Sequence, residues 1–348
     1  MNIGLSHKYN NFDFLRFLFA VFVVISHSYA LSGDNEVGEG VNWLSKGQMS
    51  FSSIGLSGFF VISGFFIFQS LQRSENLLDY LKNRFLRLFP ALFVVLLVSL
   101  LLSPLVYNGD TPFLENLQVY TYLPNNLSLY LFQSGIKGIF DANPYHSING
   151  SLWTIRYEFS LYLALVLLFY IKGNKVITQT LLGLALTILL ITYNFFLERF
   201  AGSSILGMQG YHILNLGTFF VCGSFLASIE FKKYNSKWIL YVSMILLLVS
   251  IYYHFYSEVK HILLTIIVMS VGFMPLPFFS DFGRIGDMSY GIYIYSFPIQ
   301  QTLVYFFKLH TYDLMLYSVF ISIGFGYLSW DLIEKKALSF KKKIIHKH

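Results

Sequence analysis

Charge is scarce in this chain. Lysine, arginine, aspartate and glutamate make up 12% of the 348 residues, about half the share in a soluble domain, and they sit in short islands between apolar runs. With 55% hydrophobic residues and a mean hydropathy of +0.58, that scarcity excludes a soluble globular enzyme. Cysteine is rarer still. Cys222 stands alone, so no internal disulfide can form, and its apolar surroundings, far from any histidine or basic cluster, mark an inert buried thiol. Internal repeats, an appended soluble domain, a metal-ligand cluster and a nucleic-acid motif are all missing. The net charge of +6 therefore reads as a signal of membrane topology and of contact with anionic lipid.

What is there is hydrocarbon. Apolar runs of about 20 residues, the length that crosses roughly 30 Å of bilayer core, fall at 12–31, 50–69, 85–106, 151–171, 176–197, 211–230, 237–255, 259–277, 287–307 and 312–333. The expected fold class is all-α, a polytopic membrane protein with about ten transmembrane helices. The first run is too long for a signal-peptide core and lacks a small-residue cleavage site, so it reads as a retained span. The 37 Phe and 25 Tyr suit lipid-facing surfaces and interfacial belts.

Basic residues sort the connections. If both termini are cytoplasmic, the inner segments hold Lys8, Arg73, Lys82, Arg84, Arg87, Lys172, Lys175, Lys232, Lys233, Lys237, Arg284, Lys335, Lys336 and the lysines of the tail. The outer segments hold only Lys46, Lys137, Arg199, Lys260 and Lys308, together with the acidic Asp34, Glu36, Glu39, Asp110, Glu115 and Asp141. Short cytoplasmic loops collect positive charge, so both termini are expected inside. The expected division is a transmembrane domain over 1–334 and a basic cytoplasmic tail over 335–348. The outer loop 107–150 is long and polar, with helical content expected around 127–138; loops of that length are usually functional.

Ionisable residues inside spans are functional candidates by default. Arg16 and His27 are eleven residues apart, about 20° beyond three turns, so they share a face about 16 Å apart along the axis. Either alone could be explained otherwise, the arginine by reaching back to headgroups and the histidine by an interhelical hydrogen bond. In "NRFLRLFPAL" Arg84 and Arg87 are neighbours on one face, and planar guanidiniums suit a phosphorylated ligand; a positive-inside anchor would look the same. "GLSGFFVISGFFIF" carries Gly55, Ser57, Gly58, Ser63 and Gly64, which permit close helix approach or leave a groove for an acyl chain. In "NGSLWTIRYEFSLYL", Glu158 lies roughly 10 Å below the outer end of its helix, about the depth of His27, so the two are expected to pair. Arg156 is about 200° around the helix from Glu158 and should face something else. "GDMSYGIYIYSFPIQQ" places Asp287 or Ser289 as a helix cap, stacks Tyr290, Tyr293 and Gln300 on one side, and should bend at Pro298.

These stretches, in this order and over about residues 10–335, resemble the membrane-bound acyltransferase family 3, whose members O-acylate sugars of O-antigens, exopolysaccharides and nodulation factors. The chain resembles the stand-alone form without a fused esterase-like domain. The resemblance implies ten helices in the bacterial cytoplasmic (inner) membrane and acyl-CoA, with acetyl the commonest group, as co-substrate in place of a tightly bound cofactor. It also implies a lipid-linked or polymeric saccharide acceptor on the outer side. Arg16 and His27 match the family's first-span pair, Arg84 and Arg87 its paired arginines, Glu158 its fourth-span acid, and Tyr290 and Tyr293 its late tyrosine motif. His27 and Glu158 are the expected catalytic pair, Arg16, Arg84 and Arg87 the donor-binding set, and Ser63, Trp153, Arg156, Tyr290 and Tyr293 are expected to contact the acceptor or line the site. Two departures stand out: Ser296 replaces a histidine found in many members, and Arg156 occupies a position where no arginine is expected. The rival class is a transporter or exporter of sugars or acyl compounds, which would more often show internal repeats or paired broken helices. Neither is present.

Overall fold

The structure is a computed structural model that describes residues 11–340; Lys8 and the 341–348 part of the basic tail lie outside the described residues. Ten long helices organise it: α1 (Phe12–Ser32), α2 (Phe51–Arg73), α3 (Leu77–Leu102), α4 (Ile155–Leu165), α5 (Lys175–Ala201), α6 (Gly210–Ser228), α7 (Lys237–Tyr252), α8 (Tyr256–Phe273), α9 (Ser289–Phe307) and α10 (Thr311–Ser329). Short 3₁₀ turns extend α4 at both ends, over Gly150–Thr154 and Val166–Ile171. Among the described residues, 8 helices are long and apolar enough to cross a membrane, so the chain is a helical, multi-pass membrane protein. Among the described residues the extended pairings are a hairpin joining Ser204–Ile205 to Met208–Gln209 and an isolated bridge between Tyr107 and Ile139.

The two long helices outside that set depart for different reasons. α7 is short, at 16 residues. α9 is rich in Tyr, Ser and Gln yet is as enclosed as α6, each with 12 of its 19 residues buried. Its neighbours are protein, so it needs no lipid-compatible surface. In contrast, α5 buries only 3 of 27 residues and lies at the periphery. The core is built by α1 against α2, α9 and α10, with α6 packed between α2 and α5, and α8 against α2 and α6.

Local chemistry sets the ends. Asn76 accepts the Asp79 backbone N–H at 2.8 Å, so α3 starts eight residues before the apolar run and Arg84 and Arg87 lie inside the helix, not at its mouth. Ser50 and Ser53 form a reciprocal capping box at the start of α2, which fixes the orphan amides of that end. In the long loop the helix runs over Leu117–Leu127, earlier than the expected 127–138. Asn116 caps it, while the left-handed backbone of Leu129 and Gly138 prevents the later stretch from coiling. Beyond α10 a π-helical turn, Trp330–Glu334, leads into Lys335–Ser339. Ala337 is buried there, so helix continues across the boundary placed at 334.

Contacts between helix ends define two ends of the bundle. Arg16, Arg87, Asp287 and Glu334 meet at one, which brings the first and last described residues to the same end. Lys172 joins them there, donating to the Leu71 and Ser74 carbonyls. The 107–150 loop covers the opposite end: Asn143 donates to the Gln301 carbonyl at 3.0 Å, Gln301 donates to the Tyr145 and Ser147 carbonyls, and Asn149 donates to the Ile294 carbonyl at 2.8 Å.

The small residues of α2 do let a partner approach. A Cβ on Gly64 would overlap the Phe220 carbonyl of α6, and one on Gly223 would overlap the Val61 carbonyl of α2. Both clashes are with backbone, which cannot rotate away. Gly64→Ala or Gly223→Ala should therefore cost about 1–3 kcal/mol through overpacking, read as a lowered thermal midpoint in detergent. Gly324→Ala, with nothing within 4 Å of the added carbon, should leave stability unchanged or raise it.

Candidate active site

A cavity of about 290 Å³ lies inside the bundle, walled by α1, α2, α3, α4, α9 and the π-helical turn. Arg16, Ser63, Arg84, Arg87, Glu158, Tyr290 and Tyr293 line it, so seven of the ten residues singled out from sequence converge on one space. Thr154, Tyr162, Asp287 and Trp330 join them. A second cavity of about 340 Å³, lined by Asp13, Arg16, Ser70, Arg73, Asn83 and Arg84, adjoins it at the ion-pair end and shares Arg16, Phe66 and Arg84 with it.

The two arginines of α3 have different surroundings. Arg87 is held by carboxylates, 2.6 Å from Asp287 and 3.1 Å from Glu334, whose side chain is only 2% exposed. Asp287 also lies 3.6 Å from Arg16, which pairs with Asp13 at 3.2 Å. Arg84 has no carboxylate partner among the described residues. It is 9% exposed, sits 5.8 Å from both the Tyr80 and Tyr162 rings, and donates to the Ser70 hydroxyl at 3.2 Å, while its buried Nε has no partner. The expected pair of free guanidiniums is thus split, with one neutralised within the protein and one left without a counter-ion.

Glu158 is fixed by hydroxyls. Ser63 of α2 donates to it at 2.8 Å, and Tyr162, one turn further along α4, donates to the same oxygen. Tyr162 therefore bridges the carboxylate and the Arg84 guanidinium. The expected pairing with His27 is not formed: no hydrogen bond or ion pair joins them, the His27 Nδ1 is buried without a partner, and its ring packs edge-on to Phe297 at 5.4 Å. Depth counted along each helix did not say which way the side chains point. Ser63 and Tyr162 turn Glu158 into the cavity, and His27 does not line that cavity.

Arg16 and His27 do share the face of α1 that meets α9, since Arg16 reaches Asp287 and His27 reaches Phe297. Tyr293, which lines the cavity, bonds the Thr154 hydroxyl at 2.6 Å and donates to the Ser151 carbonyl at 2.8 Å. One turn further along α9 stands Phe297, with His27 on one side and Tyr145 of the long loop 5.8 Å away. Tyr290 donates to the Leu88 carbonyl at 3.0 Å, and Gln300 turns to α1, donating to Val24 and Ser28 at 2.9 Å. The N-cap position of α9 is Met288, without a side-chain bond; Asp287, one residue earlier, serves both the arginines and the helix start, where it accepts from the Ser289 hydroxyl at 2.6 Å. Trp153 and Arg156 lie outside the cavity, against His212 and Phe132. Sequence reasoning missed Glu334, Tyr162 and Thr154. For Glu334 a signal existed, an acidic residue at the positively charged end of the last apolar run.

Residues 9–334 match the sequence profile of an acyltransferase domain family, acyltransferase 3, and the chain belongs to that family. It is 28% identical to an O-acetyl transferase of Shigella phage Sf6, over 96% of this chain and 97% of that one. It is also 25% identical to nodulation protein 10 of Rhizobium leguminosarum bv. viciae, over 97% and 95% of the two chains. No solved structure matches the chain.

The ion-pair cluster generates a stability prediction. Arg87→Ala would leave Asp287 and Glu334 close together without their shared cation, and an uncompensated charge of this kind costs about 3–5 kcal/mol when buried. Because Arg87 is partly exposed, at 22%, the lower figure applies. The thermal midpoint should fall, and Arg87→Met with Glu334→Gln should recover part of the loss.

Proposed function

We propose that the protein transfers an acyl group, most often acetyl, from acyl-coenzyme A on the cytoplasmic side to a saccharide hydroxyl on the outer side of the bacterial inner membrane. On this reading the bundle has ten spans with both termini cytoplasmic, and the acceptor is an O-antigen or exopolysaccharide unit, lipid-linked or polymeric. The observation that carries it is the pair of adjoining cavities floored by an uncompensated arginine in a chain of the acyltransferase family. Arg84, whose Nε is buried without a partner, Arg16, Arg73 and Asn83 offer the donors that a coenzyme A diphosphate needs. The larger, outermost cavity takes the phosphates, and the acyl arm runs through the inner one and past Tyr293 toward Phe297 and His27.

The chemistry follows from that placement. The saccharide hydroxyl attacks the thioester carbonyl while His27 takes its proton, the C–S bond breaks, and the departing thiolate takes a proton back from the imidazolium. A neutral imidazole can accept a proton at neutral pH, and an alcohol is a poor nucleophile without such a base. His27 stands about 16 Å along α1 from Arg16, so α1 spaces donor anchor from acceptor. Glu158 acts in the donor chamber, where it orders Ser63 and Tyr162. Tyr293 and Tyr290 line the path, and the 107–150 loop covers the acceptor.

The test uses purified protein with radiolabelled acetyl-coenzyme A and surface polysaccharide. Label should appear on saccharide, and His27→Ala should lower the rate about 10²- to 10⁴-fold with coenzyme A binding retained. Near-normal transfer by His27→Ala sinks the base assignment. Binding of coenzyme A without any transfer to saccharide sinks the reaction.

A further inference from the structure

Beside the face of α4 turned away from the cavity stand three groups that could bind a ligand, Trp153 and Arg156 from α4 and its leading turn and His212 from α6. Arg156 has no carboxylate partner among the described residues. Its guanidinium lies 5.4 Å from the Tyr157 ring and 5.6 Å from Phe132, and its Nε is buried without a hydrogen bond. Trp153, one turn before it, packs at 4.3 Å against His212 of α6. Neither the indole N–H of Trp153 nor the His212 ring has a hydrogen-bond partner among the described residues, and Trp153, Arg156 and His212 are each half-buried. The hairpin at 204–209 closes one side, with Gly207 against Arg156 and the Gln209 amide donating to the Tyr157 hydroxyl at 2.8 Å.

A flat indole, an imidazole and a cation without a counter-ion make a combination suited to one ligand chemistry. Aromatic faces stack on the apolar face of a sugar ring. An unpaired, partly desolvated guanidinium favours a planar or tetrahedral anion. Trp153 is followed directly by Thr154, which lines the central cavity, so this cluster stands about one helix diameter, roughly 10 Å, from that cavity. We propose that Trp153, Arg156 and His212 form a second saccharide subsite, which takes an acidic sugar residue of an extended acceptor and holds the acylated residue over the cavity. The proposal rests on the saccharide acyltransferase reading. It implies an acceptor longer than one sugar and bearing an anionic group.

The test titrates the full-length protein, in nanodiscs of zwitterionic lipid, with tri-galacturonate and with neutral maltotriose, following tryptophan fluorescence. The acidic trimer should bind at least about tenfold more tightly, the ratio one charge-assisted contact supports. Arg156→Gln should remove that preference, and Trp153→Ala should weaken both ligands. Equal binding of the two trimers, or a preference that survives Arg156→Gln, overturns the proposal. So does the loss of a tightly retained phospholipid on Arg156→Gln without any trimer preference, which would assign the arginine to a lipid headgroup. Coenzyme A binding by the unmodified protein is measured in parallel, and its absence would count against the transferase reading whatever the saccharides do.

Discussion

Carboxylates and guanidiniums taken out of water are stabilised by pairing with one another, and the junction at Arg87 follows from that constraint. Asp287 before α9, Glu334 in the π-helical turn after α10, and Arg16 of α1 are drawn to one point. Four parts of the chain that are far apart in sequence are thereby brought together at one end of the bundle. The π turn gives its extra residue to this junction, since it sets Glu334 against both Arg87 and the Ser329 hydroxyl. Such turns recur at functional sites because they redirect a side chain without ending the helix.

Neutralising Arg87 has a consequence for Arg84. With Asp13, Asp287 and Glu334 committed to Arg16 and Arg87, and Glu158 held by Ser63 and Tyr162, Arg84 is left to aromatic rings and one serine hydroxyl. A cation enclosed in that way has its affinity for an anion in reserve. The hydroxyl relay from Ser63 through Glu158 to Tyr162 connects this arginine to the middle of the bundle. The chamber is thus positively biased at its outermost part and hydroxyl-rich further in, an order that suits a ligand with a charged head and an uncharged reactive arm.

Much of this was legible in the sequence. Each of the ten apolar runs contains a helix, and eight of these helices are long and apolar enough to cross a membrane, because a span must satisfy its backbone internally and so shows its length in composition. Treating charges inside apolar runs as exceptional picked out Arg16, Arg84, Arg87 and Glu158, although it set Glu158 beside His27 and not in one cavity with the arginines. What could not be read was direction. Two helices can carry polar groups at one depth and point them apart, as His27 and Glu158 do, and only the tertiary partners Phe297, Ser63 and Tyr162 reveal it. The start of α3 was hidden because its first two turns are polar, and the loop helix was misplaced because Leu129 adopts a left-handed conformation that its identity does not announce.

The account turns on one claim, that the cavities beside Arg84 receive the donor. The direct measurement is a structure of the protein with coenzyme A bound, determined in a lipid nanodisc. The account predicts the diphosphate against Arg84 and Arg16, with the pantetheine arm running past Glu158 toward Tyr293. Coenzyme A bound at the end covered by the 107–150 loop, or with Arg84 still free of phosphate, would contradict it.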